Sequence, residues 1–76
     1  MSESLATRIE EVLRPVIGIV LATVSVDVEV KRIGKTPDTI EIEDLPVIAD
    51  NLVEALRLVV GSAMAEAAGC RVREIG

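Results

Sequence analysis

Side chains able to do chemistry are few in this chain, and they do not converge. Histidine is absent and there is a single cysteine, Cys70. The acids Asp38, Glu41, Glu43 and Asp44 form the one cluster that could hold a hard cation. A calcium loop needs regularly spaced ligands, a central glycine and a closing bidentate glutamate, none of which this segment has. The acids read instead as one helix cap, Asp44, and three solvated carboxylates.

Arg71 and Arg73 lie close to Cys70 in sequence, as a reactive thiol requires, but Cys70 falls late in a helical segment, where the dipole opposes a thiolate. It reads as a small apolar residue. Without histidine as base, and with neither lysine in an apolar setting, nucleophilic catalysis has no support. No pair of carboxylates stands apart as acid and base. Gly34-Lys35-Thr36 imitates the end of a phosphate loop, yet the position of its first glycine holds Glu29, and Gly18 belongs to no dinucleotide fingerprint. The expectation is a protein that is not an enzyme and carries no metal or cofactor.

Composition narrows the classes further. The 76 residues make a single small domain, half hydrophobic, with no Phe, Tyr or Trp. Its core must come from Leu, Ile, Val, Ala and Met. A domain this short buries only about 60% of the surface its unfolded chain exposes, and small domains commonly add disulfides, a metal or a second chain. One cysteine closes the first route within the chain and the lack of histidine weakens the second, so oligomerisation is left. A net charge of −5 and the missing aromatics argue against nucleic acid, which needs cations for phosphates and rings for bases. The uncharged run Pro15–Val26 has twelve residues, short of the ~20 that span a bilayer. Glu3 and Glu10 flank Arg8 where a secretory leader would be basic. With the lone thiol, these features point to the cytoplasm.

The elements follow from periodicity. Residues 2–14 read as an amphipathic helix capped by Ser2 or Ser4, with Leu5, Ile9, Val12 and Leu13 on one face. Pro15 is expected to break it. Residues 16–33, VIGIVLATVSVDVEVKRI, then admit two conformations. As a strand, Val24, Val26, Val28 and Val30 alternate with polar residues, and Thr39–Glu43 alternates after a turn. As a helix, Val16, Ile17, Val20, Val24 and Val28 form one row and Ile19, Val26, Val30 and Ile33 another, with Gly34 at C′. Valine favours the strand, but a lone two-stranded sheet is marginal. The joint Gly34–Ala49 also resembles loop-then-helix joints of small helical bacterial and archaeal proteins, a resemblance that carries no chemistry.

The expected fold is therefore all-α, a small helical bundle with a long central helix at about 16–33. The alternative is α+β, a helix–β-hairpin–helix with strands near 23–33 and 39–43. Beyond the loop, Asp44 and Pro46 start a helix whose stripe is Leu45, Ile48, Leu52, Ala55, Leu56, Val59 and Val60; Gly61 stops it. Ser62 caps an alanine-rich helix with Met64, Ala67 and Ala68 inward, fraying beyond Gly69. No internal repeat is apparent.

Two flanking helices cannot cover both rows of 16–33. The chain is therefore expected to be a self-association module, dimerising through Ile19, Val24, Val26, Val28, Val30 and Ile33, as an isologous homodimer. An unidentified protein partner is the other occupant considered. The alternative function is a small apolar-ligand binder, its pocket between helices or at the dimer interface, with Arg14, Thr23 and Ser25 as the polar groups.

Overall fold

A computed structural model describes residues 4–75. Four α-helices account for the fold: α1 (Leu5–Ile17), α2 (Ile19–Arg32), α3 (Leu45–Val60) and α4 (Ser62–Arg73), with a 3₁₀ turn at Ile42–Asp44 leading into α3. Among the described residues there is no strand, so the class is all-α and the hairpin alternative falls. The valine alternation misleads for a simple reason. A period of two is also a period of four, so Val26 and Val30 share one helix face while Val24 and Val28 share the other.

Each boundary has a local cause. Ser4 caps α1, its Oγ accepting from the Thr7 N–H at 3.1 Å; Ser2, the other candidate cap, lies outside the described residues. Pro15 does not end the helix. It sits in the last turn of α1, and Val16 and Ile17 continue past it because both pack partly against the core. The break comes at Gly18, where φ is +84° and ψ 167°, a conformation that residues with a Cβ avoid. The stretch 16–33 is therefore divided between two helices, and α2, with 14 residues, is shorter than the 16-residue α3. At its far end Gly34 N–H bonds Lys31 C=O (3.0 Å) and Lys35 N–H bonds Val30 C=O (3.1 Å), the Schellman closure with Gly34 at C′.

Asp44 departs from its expected role. Its backbone is already helical (φ −82°, ψ −17°) and its carboxylate does not cap α3. It turns back instead to the Glu41 N–H (2.9 Å) and to Lys35 Nζ (2.7 Å), while Glu41 accepts from the Asp44 N–H, closing a capping box on the 3₁₀ turn. Buried Ile40 pins the loop to the core.

The stripe of α3 is buried at Leu45, Ile48, Ala49, Leu52 and Leu56, but Ala55 and Val59 are exposed and Val60 is only partly buried. In α4 the inner face is Ala65, Ala68, Gly69 and Val72, not Met64 and Ala67. Ser62 is the first helical residue and caps nothing. The helix runs through Arg73 without fraying at Gly69, because Gly69 is where α4 presses on α3: a Cβ there would fall well inside van der Waals contact of Val53 Cγ2. Alanine-rich sequence offers little contrast between faces, so this close approach sets the rotation of α4.

Although no repeat is apparent in the sequence, the two hairpins α1–α2 and α3–α4 share one helix–glycine–helix plan. Gly61 has φ +86° and ψ 165°, matching Gly18. Aligned on these glycines, the chain repeats Ala6 at Ala49, Glu11 at Glu54, Leu13 at Leu56, Arg14 at Arg57, Val16 at Val59 and Ala22 at Ala65. Burial repeats too: Ile9 with Leu52, Leu13 with Leu56, Ala22 with Ala65, Val26 with Gly69, Glu29 with Val72. Helix α1 packs on α4 and α2 on α3, the pair of contacts that exchanging the two copies interconverts.

Candidate functional site

Large apolar side chains stand in solvent at several places, Ile42, Val47, Leu58, Val59 and Met64 among them, and five of them lie on the outer part of α2. Ile19 (67% exposed), Val20 (74%), Leu21 (51%), Val24 (51%) and Val28 (46%) stand in solvent. Helical spacing puts Val20, Val24 and Val28 on a single i, i+4 ridge, with Leu21 beside it and Lys31 at its end. Of the residues predicted to form an interface, Val26 and Val30 instead belong to the chain's own core, essentially inaccessible, and Ile33 is half-buried against it. Ile19, Val24 and Val28 are exposed, as are Val20 and Leu21. The two helical rows divide only in part: Val20, Val24 and Val28 of the first are surface and Val26 and Val30 of the second are core, but Ile19 of the second is exposed and Val16 and Ile17 of the first pack partly against the core.

The second repeat serves as an internal control. The α4 residues equivalent to Val20, Leu21, Val24 and Val28 are Ala63, Met64, Ala67 and Arg71, all exposed. Where α2 carries the valines 20, 24 and 28, α4 thus carries Ala63, Ala67 and Arg71, while Leu21 has its counterpart in the equally exposed Met64.

The inner face of α2 carries its own irregularity. Glu29 is buried at the position its repeat gives to Val72. Its Oε1 has no hydrogen-bond partner, and Arg32 Nη1 is 3.8 Å away. A buried carboxylate oxygen without a donor is costly.

The remaining candidates resolve into structural roles. Thr23 Oγ1 donates to Glu10 Oε1 at 2.8 Å and to the Ile19 carbonyl at 3.1 Å, tying α2 to α1. Thr23, Arg14 and Ser25 do not line either of two clefts among the described residues. One cleft, about 390 Å³ between α3 and α4, is lined by Asp50, Glu54, Arg57, Glu66 and Arg73 among others; the second, about 450 Å³, by Arg8, Glu11, Val12, Arg71 and Ile75. Both are charged, which suits an apolar ligand poorly. Cys70 is exposed at the edge of the first.

In the loop cluster, the hydrogen bond from Lys35 holds the Asp44 carboxyl below the usual range, and the same bond raises Lys35. Glu43 is raised by its hydrogen bond with the Glu41 carboxyl and by that group's charge. Among the described residues no group of three or more His, Cys, Asp or Glu side chains converges on a metal position. None of the helices described is long and apolar enough to cross a membrane.

Comparison with protein-family models, with curated proteins and with solved structures finds no match to this chain.

Proposed function

We propose that this protein is a self-association module of non-catalytic, cytoplasmic character, which dimerises through the outer face of α2. The observation that carries the reading is the exposed ridge Val20–Val24–Val28 with Ile19 and Leu21, set against Ala63, Met64, Ala67 and Arg71 at the equivalent places of the second repeat. Contiguous aliphatic surface on a small domain marks an interaction site more often than chance exposure. A second copy is the occupant, since a chain of this size gains the burial it lacks most directly by pairing.

Helix α2 rises about 21 Å along its axis, so one helix–helix crossing buries less than the ~800 Å² per partner of a standard interface. The dimer is accordingly a weak, reversible one. Sedimentation equilibrium or light scattering from about 10 µM to 1 mM, concentrations bracketing weak association free energies of roughly 4–7 kcal/mol, should show mass rising toward twice that of the chain. Val24→Asp, at an exposed position, should hold the protein at monomer mass with its helical circular dichroism intact. A wild-type chain that stays monomeric across the range overturns the reading.

A further inference from the structure

Resting on that self-association, we infer that two chains pair α2 against α2 in antiparallel sense, with Val24 at the two-fold axis and Val20 against the partner's Val28. Val20, Val24 and Val28 form an i±4n ridge, the element that interdigitates in the commonest class of helix crossing. Their spacing reads the same in both directions about Val24, as a face that must complement itself across a two-fold requires. Leu21 fills the space beside the partner's Val28, on the flank that Ser25 leaves shallow.

The charges choose the direction. Residues 19–26 carry no charge, while Asp27, Glu29, Lys31 and Arg32 crowd the C-terminal half. Arg32 is the next residue of the i, i+4 row, and Lys31, three residues past Val28 on the same face, is held by Asp27 at 3.0 Å, both side chains of that pair well exposed. Parallel pairing would set Lys31 against the partner's Lys31 at the seam and leave the two uncharged first turns facing each other. Antiparallel pairing separates the lysines, lays each aliphatic lysine stem over the partner's apolar first turn, and sets each helix N-terminus beside a C-terminus, the favourable arrangement of dipoles.

Disulfide trapping in a Cys70→Ser background tests the direction, because the native thiol is exposed and would confuse the result. Val20→Cys and Val28→Cys chains are oxidised separately and as a mixture. In the antiparallel pair two copies of residue 20 lie about 12 Å apart along the axis, beyond the ~7 Å that a disulfide tolerates between Cα atoms. The mixture should therefore yield at least about tenfold more 20–28 cross-link than either variant gives alone. Efficient 20–20 and 28–28 cross-links from the separate variants would overturn the antiparallel arrangement while leaving self-association standing. Light scattering on the same Cys70→Ser chain gives the other arm: a monomer at every concentration removes the self-association itself.

Discussion

Replacing Gly69 by alanine sets two effects of opposite sign against each other at one position. In a helix interior alanine is favoured over glycine by about 1 kcal/mol. Against that, the new Cβ would press into Val53 Cγ2, with the Ala49 carbonyl oxygen 3.7 Å away on the same side. Val53 cannot easily yield: it is β-branched, held in α3 and half-buried, and a helical valine has one strongly preferred χ1 rotamer. Overpacking of this kind costs about 1–3 kcal/mol.

The net expectation for Gly69→Ala is thus a change between zero and about 2 kcal/mol of destabilisation, or a fall in Tm of up to roughly 15 °C at 4–8 °C per kcal/mol. The same substitution in a Val53→Ala background should instead stabilise by about 1 kcal/mol, since only the propensity gain remains. Urea titration of the wild type, both single variants and the double variant measures the coupling, expected at about 1–3 kcal/mol. If Gly69→Ala stabilises equally in both backgrounds, Gly69 is not the point where α4 is wedged against α3, and the account of why α4 is rotated as it is fails.

The repeat predicts matched behaviour at its two corners: Gly18→Ala and Gly61→Ala should each cost about 1–3 kcal/mol, because both force alanine into a region reserved for glycine, as thermal unfolding would show. Glu29→Val restores the residue that the second repeat carries at Val72 and removes an unpartnered buried oxygen, so it should stabilise by about 1–3 kcal/mol in urea; a loss of stability would show that Arg32 satisfies the carboxylate. The Lys35–Asp44 pair should contribute to a plateau of stability. The lowered carboxyl of Asp44 lends stability above its unfolded pKa that is lost as acid carries pH down through the folded value. The raised Lys35 lends stability below its unfolded pKa that is lost as base carries pH up through its own. Glu43, raised by Glu41, acts in the opposite direction to Asp44 on the acid side, so the acid limb is best followed in Glu43→Gln, where Asp44→Asn should flatten it.

Much of the helical outline is written in local chemistry. Ser4 before Leu5, Gly34 after Arg32, Pro46 in the first turn of α3 and Gly61 at its end act within a few residues of themselves, through backbone donors and permitted dihedrals. Pro15 and Asp44 were less legible. Whether the helix survives a proline depends on how well Val16 and Ile17 are buried beyond it, and whether an aspartate caps the next helix depends on a lysine nine positions away.

The repeat was hidden for a related reason. Its matched residues are mostly alanines, aliphatics and one glycine, types too common to be noticed until Gly18 and Gly61 adopt the same dihedrals and the same positions go inside. The candidate site shows the division most plainly. Periodicity determined by itself that α2 has two aliphatic rows, because spacing along a helix is a local property. Only the packing of α1 and α3 decided that Val26 and Val30 lie inward while Val20, Val24 and Val28 face out, since a helix apolar on both sides takes its orientation from its neighbours.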